Sequence, residues 1–154
     1  YKLPKLEEIK KKKIQKHWFS YYKKWVPEEN YYYTNHFTEF NSNNFGRAEG
    51  SYTKYVGLDD KLDGLSFYLS YIKFGLGRTS RDAQQDIRMF HITRNEGVKL
   101  VNLYDGEFPW RYHQWSLDYM QINQNIFDLV IDKYRNSNLW AKKNGKYILK
   151  HKVK

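Results

Sequence analysis

Two glycines set between two amphipathic stretches constrain this chain more than any other feature. Leu58, Leu62, Leu65, Leu69 and Ile72 recur at spacings of four, three, four and three, the apolar stripe of a helix. Gly75 and Gly77 follow and end that helix, because glycine supplies the positive φ that a C-cap needs. Arg78-Thr-Ser-Arg-Asp-Ala-Gln-Gln-Asp-Ile-Arg88 then reads as a second helix. Thr79 or Ser80 is its expected cap, and Asp82 falls in its first turn, where the macrodipole favours negative charge. Such a corner leaves unpaired backbone N–H groups beside Arg78 and Arg81, which is how an anion or phosphate site is assembled. The same spacing also suits an ordinary helix–glycine–helix corner with surface arginines, since two glycines alone have little specificity.

The remaining punctuation predicts a mainly α chain. Pro4 opens a short helix within residues 4–16, and Pro27 with Glu28 and Glu29 opens another that continues through Tyr31–Phe40. Between them His17-Trp-Phe-Ser-Tyr-Tyr22 has the aromatic content of a strand, one whose sheet would lie outside this sequence. Asn41-Ser-Asn-Asn-Phe-Gly46 is the clearest loop, and residues 41–57 as a whole suit a functional loop. Thr93-x-x-Glu96 is a capping box, followed by Val98, Val101 and Tyr104 on the inner face, with Gly97 a mild cost. Asp105-Gly106 closes that helix, and Pro109 opens the next, through Trp110–Met120, with Tyr112, Trp115 and Tyr119 on one face. Asn123 caps a last helix bearing Ile126, Phe127, Val130, Ile131 and Tyr134. Lys143-Asn-Gly-Lys146 is a hairpin turn. Residues 58–136 should therefore form a compact helical bundle, followed by a small C-terminal hairpin.

Charge decides between classes of partner. Of the net +10, residues 1–25 hold nine lysines and two glutamates, and residues 142–154 hold six lysines and no acid. The ends thus carry +13 and residues 26–141 carry −3. The basicity is peripheral and almost all lysine, which gives salt-sensitive attraction to any polyanion but no groove specific for nucleic acid. No apolar run reaches the length of a membrane span, and no apolar region follows Tyr-Lys-Leu-Pro-Lys as a signal peptide requires. The chain has no cysteine, so disulfides and thiolate metal sites are excluded. His17, His36, His91, His113 and His151 are scattered without ligand spacing, and no metal site is expected. Asp59, Asp60 and Asp63 favour the dipole at the start of the long helix; alternatively they orient Lys61, hold substrate hydroxyls or bind a magnesium ion that carries phosphates. Tyr31-Tyr-Tyr33 cannot all face one core, so at least one of them is exposed or meets a partner.

Several words stand in a fixed order: Tyr52-x-Lys54-Tyr55, Leu58-Asp-Asp-Lys-Leu-Asp-Gly64, Ile72-Lys-Phe-Gly-Leu-Gly-Arg78, Asp82-Ala83, Asp86-Ile-Arg88, Ile92-Thr-Arg-Asn-Glu-Gly-Val98 and Tyr104-Asp-Gly-Glu-Phe-Pro109. Trp25-x-Pro-x-Glu-Asn-Tyr-Tyr-Tyr33 precedes them, and Phe127-x-x-Val-Ile-Asp-Lys-Tyr-Arg135 and Leu139-Trp140 follow. Together they resemble the C-terminal part of the N-acetyl sugar amidotransferases of bacterial surface-polysaccharide synthesis. Those are PP-loop enzymes of the lipopolysaccharide O-antigen and of pseudaminic and legionaminic acid pathways. The family's Ser-Gly-Gly-x-Asp-Ser pyrophosphate loop and its cysteine motifs do not occur here, and the chain opens at Tyr1. It therefore reads as the C-terminal piece of a longer protein: residues 1–57 would end a PP-loop α/β domain, and residues 58–154 would form a helical C-terminal domain.

For the parent, the resemblance implies ATP-dependent conversion of a sugar acetamido group to an acetamidino group in the cytoplasm. ATP with Mg2+, held mainly by the N-terminal domain, would adenylylate the acetamido oxygen. Ammonia from glutaminase subunits would then displace AMP. The substrate would be a nucleotide-linked N-acetyl sugar. Lys54, Lys73, Arg78 and Arg88 would be the cations facing phosphate, Tyr52 and Asp60 hydrogen-bonding groups, and Lys61, Gly75 and Gly77 further parts of the same substrate or phosphate site. No general base can be named. The piece alone would be inactive, and its apolar arm would self-associate or stay mobile. From another class comes a lysine-rich helical module that binds nucleic acid or an acidic protein, which salt dependence would distinguish. A domain that only mediates oligomerisation would show neither behaviour.

Overall fold

A computed structural model describes residues 3–154. In chain order it contains α1 (Leu6–Lys11), α2 (Phe19–Tyr22), α3 (Pro27–Phe37), α4 (Asp63–Phe74), α5 (Arg78–Arg88), α6 (Arg94–Tyr104), a 3₁₀ turn (Trp110–Tyr112), α7 (His113–Met120), α8 (Gln124–Tyr134), β1 (Trp140–Lys143) and β2 (Lys146–Leu149). The chain divides into two compact units, one ending at Glu39 and the other spanning Phe40–Lys154.

In the first unit, the strand expected over His17–Tyr22 is not formed. Phe19–Tyr22 makes a single helical turn in which the Tyr21 N–H donates to the Trp18 carbonyl (2.9 Å) and Lys23 N–H to that of Phe19 (3.0 Å). A local turn satisfies these backbone groups without a neighbouring strand, so aromatic β propensity loses to hydrogen-bond supply. Trp18, Phe19, Tyr21 and Tyr22 are all exposed. The α3 tyrosines separate as helical geometry requires: Tyr31 is buried, Tyr32 and Tyr33 are exposed.

The second unit is the helical bundle with its hairpin. Leu65 and Ile72 of α4, Leu117 of α7, Phe127 and Ile131 of α8 and Trp140 of β1 form its core, with Leu62, Tyr71, Phe108 and Leu149 packed around it. The leucine stripe is shorter than its periodicity implies. Asp60 Oδ1 accepts the Leu62 N–H (2.8 Å) and fixes a turn, so the helix begins at Asp63 and Leu58 precedes it. Leu69 is partly exposed. On α8, Phe127 and Ile131 are buried while Ile126, Val130 and Tyr134 face outward. Three sequence signals appear as read: Gly75 is the left-handed cap of α4, Thr93 and Glu96 form the capping box of α6, and Asn123 accepts the Ile126 N–H to start α8. Gly97 is more than a tolerated cost. A Cβ there would lie 2.7 Å from Ile87 Cδ1 and 3.6 Å from Ala83 Cβ, so its hydrogen lets α6 approach α5.

The hairpin closes on the core. Trp140 pairs with Leu149 and Lys143 with Lys146 around the Asn144-Gly145 turn, both residues having positive φ. Trp140 also donates its indole N–H to the Ile72 carbonyl (2.8 Å), one of the last-turn carbonyls of α4 that have no partner inside the helix. Trp140→Phe should therefore cost about 1–3 kcal/mol through the unsatisfied buried carbonyl. Trp140→Ala should cost about 3–5 kcal/mol, as deletion of a large core side chain does. Urea denaturation of the chain measures both, and equal losses for the two variants would contradict the hydrogen bond's share.

Candidate functional site

The loop from Arg47 to Thr53 is tied to α5 and to the segment that follows α6. Thr79, fully buried in the first turn of α5, donates its N–H (3.1 Å) and its hydroxyl (2.8 Å) to the Gly50 carbonyl. Ser51 Oγ lies 3.1 Å from Thr53 Oγ1 and 3.5 Å from Asp82 Oδ2. Tyr52 donates its hydroxyl to Asp86, one turn beyond Asp82 on the same helix face. Burial first, and the Asp86 carboxylate second, push the Tyr52 phenol far above its usual value, so it remains a donor. From the other side Glu107 accepts two bonds from Arg47 (2.6 and 2.8 Å) and a third from the Gly50 N–H (3.0 Å). The Arg47 guanidinium also stacks 4.3 Å over the Tyr104 ring.

The helix start expected to offer free N–H groups is already filled. Gly77 is the N-cap of α5, so Thr79 and Ser80 lie inside the helix and neither caps it. Asp105, the C-cap of α6, accepts from the Gly77 N–H (2.9 Å), the Ser80 N–H (3.2 Å) and the Ser80 hydroxyl (2.5 Å). An internal carboxylate thus occupies the positive end of the helix. Gly77 makes this approach feasible, because a Cβ there would stand 2.6 Å from Asp105 Oδ1. Sequence reading could not find this partner: Asp105 is remote in the chain and looked only like a helix terminator.

What remains for an exogenous anion is the pair of arginines. Arg78 Nε donates to both oxygens of Asp82 (2.8 and 3.0 Å), and its guanidinium lies 5.5 Å over the Phe67 ring. Burial is the largest influence on the Asp82 carboxyl, which stays raised despite its hydrogen bond to Arg78. This grip uses only the Nε–H, leaving both Nη groups as donors. Arg81, one turn on, is exposed and makes no hydrogen bond or ion pair among the described residues. Both arginines line a cleft of about 380 Å³ between α4 and α5, together with Ser66, Phe67, Ser70, Phe74, Leu76 and Gln84. The α4 contributors Ser66, Ser70 and Phe74 repeat every four residues beside the leucine stripe, a signal the sequence carried and the motif reading missed.

The structure brings together only some of the residues expected at the site. Arg78 and Gly77 line the cleft, whereas Tyr52 does not line it and donates to Asp86. Gly75 turns the chain between the helices and packs on Leu149. Lys73 lines two neighbouring apolar hollows of α4 and lies 5.2 Å over the Phe74 ring. Lys61 lies over the Trp115 (5.0 Å) and Tyr112 (5.8 Å) rings, and Asp60 serves the turn before α4. Lys54 is exposed on the loop after Thr53, and Arg88 is exposed in the last turn of α5. Asp63 has its carboxyl raised by burial and then by Asp59 and Asp60. Among the described residues, no group of three or more His, Asp or Glu could hold a metal ion.

A protein-family model described as LPS biosynthesis protein WbpG-like, C-terminal domain, matches residues 49–154. The chain belongs to this family. Its role therefore lies in lipopolysaccharide biosynthesis, and the C-terminal portion expected from the motifs is the portion matched. No curated protein matches the chain. The cleft, the Asp105 clamp and the Tyr52–Asp86 bond fall inside the WbpG-like domain, whereas the Glu107 clamp reaches out of it to Arg47. Among the described residues no helix is long and apolar enough to cross a membrane.

The Arg47–Glu107 clamp has a pH signature. Its hydrogen bond to Arg47 holds the Glu107 carboxyl below its ordinary value. A lowered folded value means stability that is full above the unfolded value, about 4.3, and is lost as pH falls through the folded one. Glu107→Gln should therefore weaken the domain near neutrality and lose less further stability between about pH 6 and about pH 3 than the parent chain does. Parallel curves for the two proteins in denaturant would contradict the assignment.

Proposed function

We propose that the chain is the C-terminal part of an ATP-dependent amidotransferase that converts a sugar N-acetyl group to an acetamidino group during lipopolysaccharide biosynthesis. In this reading the reaction takes place in the cytoplasm on a nucleotide-linked sugar. A glutaminase partner supplies the ammonia, and the arm ahead of the WbpG-like domain belongs to a PP-loop domain. Membership of a lipopolysaccharide biosynthesis family supports the pathway, and the ordered motifs support the reaction. The observation that carries the site is Arg78, held by a buried carboxylate with its remaining donors available at a cleft.

Magnesium-bound ATP does not fit the cleft. A phosphate-bound metal needs carboxylate or similar oxygen donors, and among the described residues no carboxylate lines the cleft. At the start of α5 the Gly77 and Ser80 N–H groups are held by Asp105 and the Thr79 N–H by the Gly50 carbonyl. Asp59, Asp60 and Asp63 do not gather into a three-carboxylate metal site, and none of them lines the cleft. The reading therefore puts ATP on residues outside this domain and gives the cleft to the anionic part of the sugar substrate. There Arg78 binds and orients, since a guanidinium fixed in advance loses little freedom when it meets phosphate. Asp82 positions Arg78 rather than moving protons, because it is bonded through both oxygens to the same Nε–H.

Arg78→Gln keeps a neutral donor for Asp82 while removing the charge. In the full-length protein, amidine formation should fall about a hundredfold or more, the loss typical of one fixed electrostatic donor. The denaturation midpoint should fall, because buried Asp82 loses its cation, while the domain stays folded at the assay temperature. An unchanged rate, or a loss matched by unfolding, would reject the role.

A further inference from the structure

Resting on that reading of the substrate as a nucleotide-linked sugar, we infer that the α4–α5 cleft holds the substrate's nucleoside diphosphate, with Arg78 and Arg81 on the phosphates and Phe74 and Leu76 against the base. The diphosphate bridge of a sugar nucleotide is a diester carrying one negative charge on each phosphate; Arg81 brings a guanidinium charge to it, and Arg78, whose charge Asp82 partly offsets, brings its two Nη donors. Free ATP carries more charge and travels with magnesium, for which the described residues lining the cleft offer no carboxylate. Arg78 and Arg81 stand three apart, hence on neighbouring positions of one helix face, spaced to meet successive phosphates.

The cleft also has features that a bare phosphate does not need. Phe74 and Leu76 are 59% and 52% exposed although they line a cleft with two arginines. An apolar wall beside paired cations suits a planar base, whose stacking on an aromatic ring adds affinity. Ser70 and Gln84 line the same cleft and supply neutral donors and acceptors of the kind that ribose hydroxyls pair with. The cleft's volume of about 380 Å³ falls within the usual range of small-molecule sites. The helix N-terminus plays no part in this assignment, because Asp105 holds the N–H groups of Gly77 and Ser80.

The test is a titration of the 154-residue chain, followed by calorimetry and by amide NMR at physiological salt, with a panel of UDP, CDP, GDP and dTDP and with pyrophosphate alone. At least one nucleoside diphosphate should bind saturably, with shifts centred on residues 66–84. Arg81→Gln should raise its Kd about tenfold or more. Phe74→Ala, at a half-exposed position, should raise the nucleotide's Kd severalfold and leave that of pyrophosphate unchanged. Three results would overturn the inference: no nucleotide bound, pyrophosphate bound as tightly as every nucleotide, or shifts confined to the lysine-rich residues 142–154 and abolished by salt. None of these readings depends on turnover. Loss of activity in Arg78→Gln without nucleotide binding would retain the amidotransferase proposal and discard this site. Nucleotide binding by a full-length protein that forms no amidine would do the reverse.

Discussion

The Asp105 carboxylate at the start of α5 is the contact on which the junction depends. It joins the end of α6 to the first turn of α5, satisfies two backbone N–H groups and one hydroxyl, and requires glycine at position 77. Two residues later Glu107 holds Arg47 and the Gly50 N–H. The stretch from Asp105 to Glu107 therefore anchors both pieces that flank the α4–α5 corner: the helix that carries the arginines and the loop that packs on that helix. Both clamps are charge-assisted hydrogen bonds in partly buried surroundings, stronger than neutral bonds and less screened than surface pairs.

That arrangement changes what the junction can do chemically. A helix start with free N–H groups would draw phosphate to itself. With a carboxylate seated there, the local field favours an anion only at the guanidinium groups, displaced toward the cleft. Arg78 is oriented by Asp82, which burial would otherwise drive toward its neutral form. Arg81, with no hydrogen bond or ion pair among the described residues, is the adaptable member of the pair. The lysines at the two ends of the chain contribute most of its positive charge, and those among the described residues are exposed, sources of general attraction rather than of selectivity.

Local signals were legible in the sequence because their physics is local. The Thr93–Glu96 capping box, the Asn123 cap, the Gly75 cap and the Asn144-Gly145 turn each involve residues within a few positions of one another. The bundle followed from the apolar spacing, apart from the outward-facing positions Leu69, Ile126, Val130 and Tyr134. Signals that depend on distant residues were not legible. The Thr79 and Ser80 hydroxyls matched a cap by type but are taken by Gly50 and Asp105, each more than twenty residues away in the chain. His17–Tyr22 matched a strand by composition, yet a helical turn over Phe19–Tyr22 satisfies the backbone more readily. Of the expected site residues, Tyr52, Gly77 and Arg78 converge at the junction. Lys61 and Asp60 have local partners near the start of α4.

The most direct measurement follows the Gly77 and Ser80 amides of the 154-residue chain by NMR while inorganic phosphate is added, with Asp105→Asn as the comparison. If Asp105 fills the helix start, these two amides shift strongly on the Asp105→Asn substitution. In the parent chain they stay unmoved by phosphate, while the Arg78 and Arg81 side-chain signals respond. Saturable phosphate shifts at Gly77 and Ser80 in the parent chain would contradict the account, because the helix start itself would then be the anion site.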